Sequence, residues 1–412
     1  MNLIYFTNSF PYNDQYTEIP FLQNEIPILA KDFDICIVPA RDKGIKKEFD
    51  SEQKILNTLA QDLRKARSKG LFRKFIKSFS YLPFIFELFK IKKLSHLTNL
   101  VIDTIDILAF YKWANLNEEL FTQKETIAYT YWSNAITSGL IYYRKKNKFD
   151  FKIISRAHGA DLYIERRGFI PYYRERIKTL DKLFLVSKAG RDYLVNKYPE
   201  FSKKYELSYL GTKRTDNKFN KKSDHQILII SCSAINKIKR VDLIFRGLLV
   251  LAQRNPEVNF KWVHLGGGPL EGNIRQLVIK NSIHNLSVDI KGILANDAIH
   301  HFYQHNYVDF FVHASESEGL PVSFMEAQSY GVPIVSTKVG GVPEIVNESN
   351  GILIDAKADA NEMAAVIEKI IFNNGLRKLL SENAKKNWGK NFNAEKNYME
   401  FSELLKNMLN EL

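Results

Sequence analysis

The chain alternates short apolar runs with helix-length amphipathic stretches, in two successive series. No other feature constrains the fold as much, because strand and helix in alternation build parallel βαβ units. The first series reads "NLIYFTNSF" (2–10), a helix-like stretch ending near Lys31, and "FDICIVPA" (33–40). It resumes after a basic region with "TIAYTYWS" (126–133), "FKIISRAHG" (151–159) and "KLFLVS" (182–187). The second reads "ILIISCSA" (227–234), "FKWVHLGGG" (260–268), "LSVDIKG" (286–292), "VDFFVHAS" (308–315), "PIVST" (333–337) and "GILI" (351–354). Between them, "YLGTKRTDNKFNKKSDHQ" (209–226) has no apolar periodicity and reads as a linker. The expectation is two doubly wound α/β domains, 1–208 and 227–386, and a last aromatic-rich helix in 387–412. At 412 residues the chain is too long for one ordinary core. Ligands of such sheets sit at the carboxyl ends of the strands, so the cleft between the domains is the expected site.

Only two cysteines occur, Cys36 and Cys232, each inside a strand-like run, which reads as two buried thiols of a cytoplasmic protein. The N-terminus lacks a basic n-region and a small-residue cleavage site, so no secretory signal is expected. No apolar run approaches the 18 or so residues that span a bilayer. The net charge of +13 favours an anionic partner. Ten Lys/Arg lie between Arg64 and Lys93 against one acid, Glu87, interleaved with bulky apolar residues. That stretch reads either as an interfacial segment on the inner face of the cell membrane, anchored by Phe72, Phe75 and Phe79, or as core-packed helix with a solvated basic face. No RNA-recognition motif accompanies it, so no nucleic-acid partner is expected.

The densest signal is "ESEGLPVSFMEAQSYGVPIVS" (316–336). Pro321 fits the first turn of a helix and Gly331 its stop, predicting a helix over about 321–330. A helix N-terminus attracts phosphate. Glu318 lies beside those donors and Glu326 falls about two turns on, able to accept hydrogen bonds from a diol such as a ribose. An anion site between two hydroxyl-binding carboxylates suits a nucleoside diphosphate sugar.

Glu318-x7-Glu326, followed by "YGVPIVSTKVGGVPEIV", resembles the donor-binding signature of retaining family 4 glycosyltransferases (glycosyl transferases group 1), which have the GT-B fold of two Rossmann-like domains facing across a cleft. The likeness covers most of the second domain and, more loosely, the first. It implies that Glu326 holds the ribose, that Glu318 holds the transferred sugar, and that the backbone from Gly319 through Leu320 and Pro321 to Val322 meets the sugar and diphosphate. It implies a diphosphate-binding role for Lys239 in "SAINKIKRVDLI", where an ammonium would stabilise the leaving group. Relatives often carry Gly-Arg five residues upstream; this chain has Ser233-Ala234, with Arg240, directly after Lys239, as a candidate to compensate. The turn "LGGGP" brings Gly266 and Gly267 near the nucleotide, and Lys291 and Gly292 fall where the base is contacted. In "SRAHGADLY" the matching residue beside the reactive sugar carbon is His158, with Arg156 and Asp161 close by. Relatives also have a Gly-Gly pair after the first strand. Here "FPYNDQYTEIPFLQNEI" has none, leaving Phe10, Pro11 and Glu18 as acceptor-side contacts. The last helix is implied to pack back on the first domain.

The expectation is therefore a retaining, metal-independent hexosyltransferase of polysaccharide or glycolipid biosynthesis. It would move a sugar from a UDP- or GDP-sugar to a hydroxyl of a lipid-linked or cell-surface glycan, without a cofactor. The two glutamates are not a glycosidase pair, whose carboxyls would sit about 5 Å apart. Two alternatives are a metal-dependent transferase using Asp32-Phe33-Asp34 and a non-catalytic sugar-nucleotide or glycolipid-binding subunit.

Overall fold

The computed structural model describes residues 1–13, 18–47, 53–214 and 226–410. It divides into two compact units, Met1–Tyr209 with the chain from Glu395 onward, and Leu210–Ala394. Of the expected linker, 215–225 lies outside the described residues. Within its described part, Thr212 makes a parallel bridge to Asn393.

Among its described residues the first unit holds nine strands: β1 Asn2–Thr7, β2 Tyr12–Asn13, β3 Asp34–Pro39, β4 Ile45–Lys46, β5 Lys54–Ile55, β6 Thr126–Thr130, β7 Lys152–Ala157, β8 Lys182–Leu185 and β9 Tyr205–Leu207. β2 and β4 form a small antiparallel ribbon. The other seven make one parallel sheet in the order β5-β3-β1-β6-β7-β8-β9. β1 and β6 are apolar runs buried nearly end to end, as a sheet covered on both faces requires. One face packs Leu59, Phe110, Trp113 and Leu140. The other packs Leu22, Ile26, Phe401 and Leu405, so the C-terminal helix completes this unit's core.

That last helix differs from the expected one. The helix Asn374–Asn391 runs through residue 387, the chain breaks at Phe392 and Asn393, and a second helix spans Ala394–Asn410. The backbone groups at the break are needed elsewhere: Thr212 N–H donates to Phe392 O (2.9 Å) and Ala394 N–H to Thr212 O (3.2 Å).

The second unit contains β10 Ile227–Cys232, β11 Phe260–Leu265, β12 Leu286–Ile290, β13 Phe310–His313, β14 Ile334–Thr337 and β15 Gly351–Ile354. They form one parallel sheet in the order β12-β11-β10-β13-β14-β15. β11 stops three residues earlier than its apolar run suggests, because Gly266 turns the chain at φ +146°. Both sheets grow outward to either side of a first central strand. The order reverses between β1 and β6 in one unit and between β10 and β13 in the other, and the crevice at such a reversal is where these folds bind ligands.

The basic region forms four helices, Thr58–Arg67, Leu71–Ser78, Leu82–Leu88 and Leu94–Asn115. Among the described residues, no helix is long and apolar enough to cross a membrane.

Candidate active site

In the second unit, the loops leaving β10 and β13 at the reversal are stitched together. Ile238 O accepts from Glu316 N–H (2.9 Å) and from Ser315 Oγ (3.2 Å). Asn236 Oδ1 accepts from Lys239 N–H (3.1 Å), fixing the turn that carries the lysine. The result is a direct ion pair between Lys239 Nζ and Glu318 Oε1.

His313 completes this cluster, and the sequence reading did not single it out. At the end of β13, its Nδ1 accepts from Ser315 N–H (3.2 Å), which leaves Nε2 as the donor facing Glu318 Oε1 (3.2 Å). Burial lowers the His313 pKa, despite the pull of Glu318 in the other direction, so the ring is held neutral. Glu318 is itself buried, which alone would raise its pKa. The hydrogen bond from His313 and the charge of Lys239 outweigh that and bring the carboxyl down to about 2. The site thus holds a fixed carboxylate under a lysine ammonium, ready for hydroxyl donors.

The helix that follows spans Val322–Ser329, one residue shorter at each end than expected. Pro321 is extended at ψ 117° and serves as the N-cap, and no side chain caps the helix. Gly319, Leu320 and Pro321 form the turn before it. Gly341 N–H donates to Gly319 O (2.9 Å), and a Cβ on Gly340 would sit 2.0 Å from Glu318 O. The "GGVPE" motif is therefore the floor on which the Glu318 turn rests.

Glu326 is buried on the same helix, where Oε1 accepts from Asn296 Nδ2 (2.7 Å) and lies 3.7 Å from His300 Nε2. Burial, only partly offset by the Asn296 hydrogen bond, pushes its carboxyl up to about 7. Asn296 and His300 went unnoticed in the sequence, being 30 and 26 positions away with no motif of their own. His313 left a faint sign, a histidine ending an apolar strand five residues before Glu318.

The other expected donor-side residues separate. Gly266 and Gly292, at φ +146° and +70°, are joined by a bridge that brings the two glycine turns side by side, with Gly267 next to them. Lys291 sends its ammonium to Asp289 (2.7 Å) at the exposed edge, so only its backbone belongs to this turn. Arg240 does not substitute for the missing upstream arginine. Its left-handed backbone (φ 45°) aims the guanidinium at Ala314 O (2.6 Å) and Ala356 O (2.8 Å), where it braces the loops.

In the first unit, His158 follows β7 with both ring nitrogens buried and without a hydrogen-bond partner. Its Nδ1 lies 3.7 Å from Asp161 Oδ2, and Trp132 and Tyr131 lie against the ring at 4.2 and 4.7 Å between centroids. Asp161 is a loop clamp, accepting from the N–H groups of His158 (2.8 Å), Gly159 (3.1 Å) and Ser133 (3.1 Å).

Four of the expected acceptor-side contacts, Phe10, Pro11, Glu18 and Arg156, are walled in. Phe10 is core. Glu18 accepts from the consecutive N–H groups of Asn8, Ser9 and Phe10 (3.0, 2.9 and 3.1 Å) and from Trp132 Nε1, so this internal carboxylate closes the amides after β1. Arg156 is fully buried and paired with Glu25, with Phe401 4.4 Å from its guanidinium carbon. Pro11 is buried beside them. Glu18 thus shapes the loop after β1, and the Arg156 charge is spent inside the unit. Of the Asp-x-Asp pair, Asp32 accepts from Ser402 Oγ (2.6 Å) and lies 3.4 Å from Lys406 Nζ, holding the last helix.

Residues 212–387 match the family model described as glycosyl transferases group 1. An uncharacterised glycosyltransferase of Methanocaldococcus jannaschii is 26% identical over 64% of this chain and 70% of its own length. The amylovoran biosynthesis glycosyltransferase AmsK of Erwinia amylovora is 24% identical over 53% of this chain, which spans only 55% of AmsK. Among solved structures, TarM superposes with a TM-score of 0.70 at 14% identity, covering 98% of this chain and 99% of its own. Anabaena HepE in complex with UDP and glucose gives 0.63 at 16%, with coverage of 98% and 99%. At these identities the structural likeness is one of fold, two Rossmann-like parallel-sheet domains of the GT-B class.

Proposed function

We propose, from the premise that this chain carries a glycosyl transferases group 1 domain over residues 212–387, that it is a retaining glycosyltransferase of polysaccharide or glycolipid biosynthesis using a UDP- or GDP-sugar. The observation that carries the reading is the Lys239–Glu318 ion pair at the strand-order reversal, with Glu326 just over one turn into the uncapped helix that follows. Lys239 and the helix amides meet the diphosphate, Glu318 a sugar hydroxyl and Glu326 the ribose diol. Lys239 has a carboxylate to release, so an arriving diphosphate exchanges one anion for another and leaves Glu318 free for a hydroxyl. The UDP in the HepE complex favours a uridine donor. AmsK's name favours a glycan acceptor.

Glu318, held ionised by His313 and Lys239, is poorly suited to act as a general acid. In this reading the departing phosphate deprotonates the acceptor hydroxyl on the same face, and His158 is assigned to the reacting end of the sugar, where its unpartnered ring can meet developing charge. Metal independence is part of the proposal, since positive charge for the leaving group comes from Lys239.

Thermal unfolding with UDP, GDP, ADP and CMP, each with and without EDTA, tests the donor site. Saturation at about a hundred times Kd adds roughly 2.7 kcal/mol. A shift with UDP or GDP that persists in EDTA and disappears in Lys239→Ala is the expected result. A shift only with divalent metal overturns metal independence, and no shift with any nucleotide overturns the donor reading. Turnover lost in His158→Ala with the nucleotide shift intact separates an enzyme from a binding subunit.

A further inference from the structure

Among the described residues, eight of the seventeen exposed large hydrophobic ones fall between Leu71 and Leu94. They include Phe72 (75% exposed), Leu82 (66%), Phe86 (64%), Phe89 (86%) and Leu94 (80%). The inner sides of these short helices are satisfied: Tyr81 and Phe84 are buried with Leu100, Val101 and Ile107, and Phe75 is packed against that cluster. Phe75, Phe79 and Phe84 form an edge-to-face triad with centroids 5.2–5.9 Å apart. The segment does pack as core on its inner side, and its outer side remains apolar. Phe75, expected as an anchor, belongs to the core.

The charges around that face are mostly unmatched. Arg64 pairs with Asp42, Arg67 with Asp106 and Lys90 with Glu87. Lys69, Arg73, Lys74, Lys77, Lys92 and Lys93 have no ion pair among the described residues. Partial burial, with Lys69 and Lys112 nearby, lowers the pKa of Lys77, as expected where cations crowd without carboxylates. A second copy of this chain presenting the same face would bring like charges together. An apolar surface ringed by unmatched cations is complementary to a negatively charged, apolar-cored surface, which is what an anionic bilayer presents.

We propose that residues 71–94 form an in-plane insertion surface for anionic bilayers, with Phe72, Leu82, Phe86, Phe89 and Leu94 entering the headgroup–acyl boundary and the lysines and arginines meeting lipid phosphates. The inference is independent of the donor reading, since none of these residues belongs to the Lys239–Glu318 site.

The test is flotation of the full chain with vesicles of phosphatidylcholine alone or with 30 mol% phosphatidylglycerol (about a third anionic lipid). Binding is expected only with the anionic lipid, weakening as salt rises. Phe72→Ser with Phe89→Ser should lower the partition constant at least about tenfold, because each removes apolar area that enters the boundary. Both side chains already face water, so thermal unfolding of the variant should be unchanged, which verifies its fold. Phe89→Trp should blue-shift its emission on binding. Absence of vesicle binding at low salt overturns the proposal. So does binding that charge reversal abolishes but Phe72→Ser/Phe89→Ser does not, which would mark a soluble polyanion site. Self-association abolished by the serine variant, without vesicle binding, would mark a protein interface and overturn it equally.

Discussion

His313 Nε2 lies 3.2 Å from Glu318 Oε1, and the same ring's Nδ1 accepts the Ser315 N–H, so one backbone hydrogen bond fixes which nitrogen donates to the carboxylate. In the assignment of Glu318 to the donor sugar, His313 is a positioning residue. Its replacement by alanine leaves a buried carboxylate with Lys239 as its main charged partner. A hydrogen bond to a charged group contributes about 1.5–3 kcal/mol, so His313→Ala should lower kcat/KM roughly ten- to a hundredfold. His313→Gln, able to donate at a similar place, should recover part of it. Equal losses in both variants would show that the ring matters only for packing.

Glu326 makes the site pH-sensitive in an unusual direction. Its carboxyl is raised from 4.5 to about 7 by burial. The folded chain therefore holds a proton that the unfolded chain has released, and stability falls as pH rises from about 4.5 to about 7, by on the order of 3 kcal/mol at most. A ribose diol donates to the ionised form, so nucleotide affinity should move oppositely, strengthening across that upper range. The other groups facing Glu326 are Asn296, His300, Cys232 and Tyr303. Burial lowers the His300 pKa, against the pull of Asp297 in the other direction. Glu326→Gln should flatten both trends, measured as Tm and nucleotide Kd against pH. A wild-type pH profile matching that of Glu326→Gln would refute the assignment.

How much of this was readable beforehand depends on how each contact is encoded. Glu318, Glu326 and the glycines that follow lie on one strand-turn-helix unit, where spacing along the chain is nearly spacing in the fold. Lys239 was placed by the family resemblance, and the fold gives the physical reason: the loops leaving β10 and β13 meet at the reversal of strand order. Asn296 could not, since it reaches Glu326 from another helix and its sequence context is ordinary. Arg240 misled for a local reason: a left-handed residue aims its side chain away from where the next-door lysine points. Phe72 and Phe75 differ by three positions, nearly one helical turn, and only packing decided which one faces outward.

Gly340 should tolerate no side chain. Its φ of +50° disfavours any L residue, and a Cβ would fall 2.0 Å from Glu318 O. Gly340→Ala should lose at least about 2 kcal/mol of stability and weaken nucleotide binding by displacing the Glu318 turn. Gly389 is the contrast, exposed on a helix with nothing within 4 Å of its Cβ position. Gly389→Ala should add up to about 1 kcal/mol. Urea unfolding of both variants checks this, and a harmless Gly340→Ala would contradict the packing.

Arg156 tests whether a buried charge beside the site positions the loop or touches a ligand. It pairs with Glu25, donates to Ser208 Oγ (3.2 Å), and lies among the rings of Tyr129, Tyr131 and Phe401, while Glu25 also accepts from Tyr5 (2.9 Å) and Tyr129 (3.1 Å). Removing one charge strands the other, which typically costs about 3–5 kcal/mol, whereas removing both is much milder. Arg156→Met should therefore be strongly destabilised, and Glu25→Gln with Arg156→Met should recover most of the loss in urea unfolding. The activity of that double variant is the informative quantity. If the pair only holds the β7 end that presents His158, restoring the fold should restore turnover to within about tenfold. Regained stability with turnover still lost would mean that the guanidinium reaches the acceptor in a conformation other than this one.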